Sequence, residues 1–237
     1  MTEWAPKRFY KDATVAAEDG GYAVRLDGRP IRTPGKRAII MPSRQMAEAV
    51  AGEWQAQDSR IDPATMPWQR SVNSAIDKVA FQRGEVAAHL VGYAGTDLLC
   101  YRAEAPEGLI RRQASAWDPL LDWLTQRHSI ELKVTSGVMP VDQDADALPR
   151  LAGLVAQMSD FQLTGFHDLV GLSGSFVLAL ATIDGVQPVE DVWEISRIDE
   201  SWQIEQWGDD EEAAEAAAKK RQAFLHTFNF YSAASSP

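Results

Sequence analysis

Alternating apolar and polar residues predict β structure in the first forty positions. Residues 22–26 alternate and lead directly into Asp27-Gly28, a dipeptide typical of a tight hairpin turn. Pro30 has no backbone N–H to donate, so the returning strand is expected to lie at a sheet edge. A further strand is predicted over residues 37–41. The pattern therefore predicts a small antiparallel sheet of three or four strands.

From residue 43 onward the apolar spacing changes to three and four, which is typical of helices. Ser43 is the expected N-cap of the first helix, and a proline-containing connector ends near residue 66. The predicted fold class is α+β, with a small N-terminal antiparallel β-containing domain over 1–66 and a larger, mainly α-helical domain over 67–237. Alternation over 130–138 allows one more strand that joins the N-terminal sheet. Pro119 is expected to kink or restart the helix around it.

One long helix is predicted from Pro188 to Gly208, because proline favours a first turn and glycine favours the position after a last one. Seven residues of this segment fall on one face at offsets of three, four and seven. They are Val189, Val192, Trp193, Ser196, Glu200, Gln203 and Trp207.

Glu200 is the unusual residue of this face, since it lies between Trp193 and Trp207. A carboxylate in that setting either closes an internal ion pair, with Arg197 as the nearest candidate, or faces a partner molecule. The neighbouring Asp199 does not make a catalytic pair with Glu200, because consecutive helical side chains diverge by about 100°. The pattern leaves both interpretations of Glu200 open.

Composition and charge exclude several classes of partner. The chain has 237 residues, 45% of them hydrophobic, and a net charge of −11 with a pI near 4.8. This balance argues against nucleic acid and against anionic membrane surfaces, and it favours a basic partner. Cys100 is the one cysteine, so no intramolecular disulfide is possible. The first eight residues lack an apolar signal core, and a cytoplasmic location is expected.

The motifs of common catalytic sites are missing or incomplete. Residues 171–175 (Gly-Leu-Ser-Gly-Ser) approach a nucleophile elbow but lack its final glycine, and they also lack the lysine of a phosphate-binding loop. The four histidines are isolated in sequence and have no metal-ligand spacing. No cofactor and no metal are therefore expected.

Six separated blocks of sequence occur in order along nearly the whole chain. They are residues 8–11 (Arg-Phe-Tyr-Lys), 26–34, 53–57 (Glu-Trp-Gln-Ala-Gln), 96–102, 117–123 and 196–208. Together these blocks resemble one family, the assembly chaperones for the alpha subunit of the F-type ATP synthase.

This resemblance implies a protein that is not an enzyme and that binds the unassembled alpha subunit until it pairs with beta. It implies a β-containing domain followed by a helical one, and it places the functional acidic residue on Glu200. The expected partner-binding residues are Glu200, Arg197, Asp199, Gln203, Trp202, Trp207 and Trp193. The family's essential tryptophan falls on Trp54, for which a structural role is expected because it faces the sheet. A monomer without nucleic acid binding or membrane insertion is expected.

Two other classes of function compete with this expectation. One is a small hydrolase or ligand-binding enzyme whose site is built from scattered residues, and the other is a general adaptor of helical proteins. Convergent polar groups around a deep cleft would favour the enzyme. Equal retention of an unrelated client would favour the adaptor.

Overall fold

The computed structural model describes residues 6–137 and 139–235. Its first elements form a three-stranded antiparallel sheet in the order β1-β2-β3, with β1 Ala13–Glu18, β2 Gly21–Leu26 and β3 Arg29–Pro30. Asp27 and Gly28 both have positive φ angles, 46° and 81°, which is the backbone that a two-residue hairpin turn needs. The hairpin and the edge position of Pro30 are confirmed.

The strand predicted over residues 37–41 is not formed. Isolated bridges join Tyr22 to Met41 and Arg32 to Ala38 instead. The turn that precedes this run is bonded to a side chain, because the Asp77 carboxylate accepts hydrogen bonds from Thr33 Oγ1 and Gly35 N, both at 2.8 Å. The hydroxyl of Thr33 and the backbone N–H of Gly35 therefore have hydrogen-bond partners although no fourth strand is formed.

The first helix, α1 Arg44–Gln55, packs on this sheet. Ser43 Oγ accepts from Met46 N at 3.2 Å and caps the helix, as predicted. Met46 and Val50 are fully buried and join Val24 and Met41 in one apolar core. The apolar spacing of α1 therefore decides which of its faces meets the sheet.

Helices make up most of the remaining described chain. Two 3₁₀ turns, Pro63–Thr65 and Leu98–Cys100, and a π-helical turn, Ala75–Val79, lie between them. The helices are α2 Pro67–Ser74, α3 Ala80–Gly95, α4 Glu107–His128, α5 Ala147–Ala156, α6 Asp160–Ser173, α7 Phe176–Ile183, α8 Val189–Ser196, α9 Ile198–Trp207 and α10 Glu211–Ser235. None of these described helices combines the length and the apolar character that a membrane crossing needs.

Pro119 lies inside α4, and α4 continues through it, so the expected restart is wrong. A proline removes one helical hydrogen bond and leaves the carbonyl four residues earlier without its donor. Here that carbonyl belongs to Ser115, and both Ser115 and Pro119 are exposed. Water can satisfy the carbonyl, which explains why the helix tolerates the proline.

The segment 130–138 does not join the N-terminal sheet. A short strand, β5 Thr135–Ser136, pairs in parallel with β4 Tyr101–Arg102, and position 138 lies outside the described residues. The preceding backbone is bonded to a side chain, because Gln143 accepts from Lys133 N at 2.7 Å and donates to Lys133 O at 3.1 Å. Its hydrogen bonds are therefore not available to another strand.

The helix predicted from Pro188 to Gly208 is two helices, α8 and α9. The break falls at Arg197, whose φ and ψ angles of −109° and 15° are not helical. Ser196 Oγ donates to Trp193 O at 2.6 Å, a local bond of the kind that competes with helical hydrogen bonding. The seven residues predicted on one face therefore divide between two helices, with Glu200, Gln203 and Trp207 together on α9. The predicted end at Gly208 is confirmed.

The chain divides into two compact units. The sheet unit comprises Met1–Arg83, Ser159–Gly165 and Asn229–Pro237, and the helical unit comprises Gly84–Met158 and Phe166–Phe228. The boundary at residue 66 remains a prediction about independently folding domains.

Candidate functional site

Helix α9 carries most of the predicted site residues on the surface of the helical unit. Ile198 is its one buried residue, whereas Trp207 is 80% exposed and Ile204 is also exposed. A tryptophan with that much exposed surface is unusual and is typical of a binding site. The helix therefore presents a large aromatic side chain to the solvent beside its acidic residues.

Glu200 is paired and accessible at the same time. Its Oε1 accepts from Arg197 Nη1 at 2.5 Å, and its side chain remains 44% exposed. The Arg197 guanidinium also lies 5.7 Å from the ring centre of Trp193, and this cation–π contact helps to hold it in place. The two interpretations of Glu200 are thus compatible, because a locally held carboxylate can still meet a partner.

Asp199 connects α9 to the start of α4. Its Oδ1 accepts from Gln113 Nε2 at 2.6 Å, and Gln113 Oε1 in turn accepts from Ala103 N at 2.8 Å. Gln113 is 1% exposed, so a buried side chain connects Asp199 to the backbone of Ala103 and positions the first turn of α9.

Trp202 and Glu205 make a second connection to α4. Arg112 binds both carboxylate oxygens of Glu205, at 2.7 and 2.8 Å, and its guanidinium lies 5.0 Å from the ring centre of Trp202. The hydrogen bond from Arg112 lowers the pKa of Glu205. A Cβ at Gly108 would lie 2.7 Å from the Trp202 ring, so glycine allows this close packing. Sequence reasoning missed Arg112 and Glu205 because 93 positions separate them and no local pattern relates them.

Trp193 lies behind this surface. It is 3% exposed, and its ring centre is 5.7 Å from that of Phe224 on α10. Its contact with a partner would therefore be indirect, through Arg197.

A groove of about 430 Å³ runs beside α9, and we call it the α9 groove. Its walls combine exposed aromatic and apolar side chains with two carboxylates, and Gln203 also lines it. The main lining residues are Glu104, Pro106, Leu109, Asp199, Trp202 and Trp207. Glu200, Arg197 and Trp193 are not part of its lining.

Trp54 belongs to the sheet unit and has a structural environment. Its ring packs against that unit's core, and its Nε1 donates to Gln69 Oε1 at 2.7 Å. The neighbouring Glu53 caps α2 by accepting from Trp68 N and Gln69 N, at 2.7 and 2.8 Å, and burial raises the pKa of its carboxyl. The Glu-Trp block therefore ties α1 to α2.

Ser173 and Cys100, the two candidate nucleophiles of the sequence, are buried. Ser173 is 4% exposed and donates to Leu169 O at 2.8 Å, and burial raises the pKa of the Cys100 thiol to about 12. Among residues 6–137 and 139–235, no three histidine, cysteine, aspartate or glutamate side chains converge where a metal ion could be held. The fold and the α9 surface together define an α+β protein whose helix α9 exposes acidic and aromatic side chains side by side.

Comparisons with known proteins agree with this class. The family model of the ATP12 chaperone protein matches residues 7–125. The crystal structure of Atp12 from Paracoccus denitrificans is 48% identical and covers 97% of this chain and 98% of its own, with a TM-score of 0.93. A putative chaperone from Agrobacterium tumefaciens is 40% identical, covering 96% and 86%, with a TM-score of 0.91. Mitochondrial atp12 of Schizosaccharomyces pombe is 24% identical over 221 residues, which are 88% of this chain and 76% of that protein.

The chain therefore belongs to the ATP12 chaperone family, and the expected resemblance to ATP synthase assembly chaperones is confirmed. The α+β fold class predicted from the sequence is confirmed as well.

Proposed function

We propose that this ATP synthase assembly chaperone binds the unassembled alpha subunit and prevents its aggregation until it pairs with beta. An alpha subunit without its partner exposes a large surface that is normally covered, and such surfaces aggregate. The observation that supports the proposal is the surface of α9, where a half-exposed carboxylate, Glu200, lies on the same helix as the exposed Trp207.

Some residues at the α9 surface contact the client in this proposal, and others hold the contacting residues in place. Glu200 offers a charge-assisted hydrogen bond to a basic group of the client, and Trp207 and Gln203 offer adjacent contact area. Arg197, Asp199 and Trp202 hold these groups in place through the pairs described above. Trp193 supports Arg197 from the interior.

Three further features of the proposed function remain predictions. Membership of a chaperone family favours a role that is not enzymatic. The net charge of −11 favours a protein client over nucleic acid. A monomer in the cytoplasm is consistent with a single, buried cysteine that makes no disulfide.

Replacement of Glu200 by lysine tests the proposal. We expect Glu200→Lys to reduce co-purification of the alpha subunit by about tenfold, since a charge-assisted contact contributes about 1.5 kcal/mol or more. Its melting temperature should change little, because the lost pair with Arg197 is partly solvent-exposed.

Glu48→Lys is the matched control. Glu48 likewise pairs with an arginine close to it in sequence, Arg44 at 2.8 Å, and is exposed, but it lies on α1 in the sheet unit. It should retain full capture of the alpha subunit. Equal losses in the two variants, or a loss in Glu200→Lys that only follows a lowered melting temperature, would contradict a direct contact by Glu200.

A further inference from the structure

The α9 groove contains carboxylate oxygens that the described chain leaves without a bonding partner. The exposed Glu104 carboxylate makes no hydrogen bond or ion pair with any described residue, and it lies against Gly137, where a Cβ would be 2.9 Å from its Oε1. Asp199 uses Oδ1 to accept from Gln113, and no described donor bonds its Oδ2. Two acceptors at the groove are therefore available to a ligand.

The groove's own cations are already engaged. The Arg102 side chain is 9% exposed, donates to Leu99 O at 2.8 Å and lies 2.8 Å from Asp118 Oδ1. Arg112, beside the groove, binds Glu205 through two hydrogen bonds. The accessible charge of the groove is consequently negative, in a chain whose net charge is −11.

An aromatic and apolar wall accompanies this negative charge. Trp207 is 80% exposed and leaves most of its ring uncovered, whereas Trp202 already stacks with Arg112. Pro106 and Leu109 add apolar surface to the groove. A side chain that suits these walls has a cationic, planar end and an apolar stem, which describes arginine better than lysine.

We propose that the α9 groove binds an arginine side chain in an exposed segment of the client. Its guanidinium stacks on the Trp207 ring and donates to Glu104 and to Asp199 Oδ2, while its methylene groups cover Leu109. The identity of the client rests on the proposed function, whereas recognition of arginine rests on the groove itself. The negative charge of the groove and the uncovered Trp207 ring are the reasons for choosing arginine as the ligand.

A peptide titration of the full-length chain tests the groove without the alpha subunit. The probe is a blocked peptide, Gly-Ser-Arg-Leu-Gly-Ser, and the control peptide carries citrulline, which keeps the shape of arginine but has no charge. The readout is the NMR signal of the Trp207 indole N–H, assigned by its loss in Trp207→Phe. The arginine peptide should shift this signal in a saturable way, with a dissociation constant at least about fivefold lower than that of the citrulline peptide.

Two variants distinguish the groove from general electrostatic attraction. Glu104→Gln should weaken binding of the arginine peptide by about three- to tenfold at constant ionic strength. Glu190→Gln removes the same charge from an exposed position on α8 outside the groove lining and should leave the affinity unchanged. Equal affinity for the two peptides, or equal effects of the two substitutions, would overturn the inference. A Trp207 signal that moves with protein concentration alone would overturn it too, since a second copy would then occupy the groove.

Capture of the alpha subunit separates this inference from the proposed function. If the native chain does not retain the alpha subunit, the proposed function fails, and the peptide titration still decides whether the groove binds arginine. If Glu200→Lys loses the alpha subunit and Glu104→Gln retains it fully, the proposed function stands and the inferred role of the groove in client binding is wrong.

Discussion

At the scale of the residue, the contacts of Trp54 are those expected of a structural role. Its ring and that of Tyr10 pack in a T-shaped arrangement with ring centres 5.7 Å apart, and Tyr10 Oη donates to Trp54 O at 2.6 Å. Its own Nε1 donates to Gln69 on α2. These contacts join the segment around Tyr10 to helices α1 and α2. Loss of the Trp54 ring should therefore lower the free energy of unfolding of the sheet unit.

Truncation of Trp54 should therefore reduce stability first. We expect Trp54→Ala to lower the free energy of unfolding by about 3 kcal/mol, and Trp54→Phe to lower it by about 1 kcal/mol through loss of the hydrogen bond to Gln69. Chemical denaturation measures both values, and Trp207→Ala serves as the control because its exposed ring should change stability by less than about 0.5 kcal/mol. A Trp54→Ala variant with native stability but no client binding would show that Trp54 has a direct role.

Asp97 is a buried carboxylate that holds the start of α7. Its Oδ1 accepts from Ser175 Oγ at 2.7 Å, and its Oδ2 accepts from Val177 N at 3.0 Å. Burial raises the pKa of Asp97 above its ordinary value of 3.8, and the hydrogen bonds oppose this effect only in part.

This raised pKa predicts a pH dependence of stability. The folded chain binds the Asp97 proton more tightly than the unfolded chain, so a stabilising contribution is present at low pH. It is lost as the pH rises through the folded pKa. The stability of the native protein relative to Asp97→Asn should therefore fall as the pH rises from about 4, which urea denaturation of both proteins at a series of pH values measures. A difference that rises with pH would contradict this assignment.

At the scale of elements, α9 depends on a close approach to α4. Gly108 allows the Trp202 ring to pack where a Cβ would lie 2.7 Å away, and Arg112 covers the ring. The packing of Trp202 on α4 therefore depends on the absence of a side chain at Gly108.

A methyl group at Gly108 should displace the Trp202 ring. We expect Gly108→Ala to lower stability by about 1 kcal/mol and to change the tryptophan fluorescence, because the ring must leave its packed position. Gly92→Ala is the control, since Gly92 lies in α3 with nothing within 4 Å of an added Cβ, and it should be neutral or stabilising by about 0.5 kcal/mol. Unchanged fluorescence in Gly108→Ala would show that α9 does not need this contact.

The elements differ in how far the sequence could predict them. The Asp27-Gly28 hairpin, the Ser43 cap and the end of α9 at Gly208 depend on residues within a few positions, and they were predictable. The break at Arg197 was not, because apolar residues continue at helical spacing on both sides of it.

The candidate site, too, was predictable only in part from the sequence. Its position on the segment 196–208 came from the family resemblance, and the pattern alone left Glu200 undecided between pairing and exposure. The contacts of Arg112, Gln113 and Glu104 with the site require the folded chain, since they bring together segments far apart in sequence.

At the scale of the whole molecule, the excess of negative charge affects association with a client. The chain carries 34 acidic and 23 basic residues, so its long-range field attracts a basic surface. Salt screens this field, because the Debye length falls from about 30 Å at 0.01 M to about 8 Å at 0.15 M.

Association with the alpha subunit should therefore slow as salt is added. We expect the association rate constant to fall by about tenfold between these two ionic strengths, with a smaller change in the dissociation rate constant. Stopped-flow or surface-binding kinetics measure both constants. An association rate that does not depend on salt would show that the net charge has no part in client encounter.

The break at Arg197 affects how firmly α9 is attached to the rest of the helical unit. Non-helical residues, Arg197 and Gly208, bound α9 at its two ends, and Ile198 is the one residue that it buries. Local opening costs the least free energy where little apolar surface is lost, so the polar contacts with α4, from Asp199 to Gln113 and from Glu205 to Arg112, carry much of the resistance to opening of α9. The attachment of α9 therefore depends largely on these few contacts with α4.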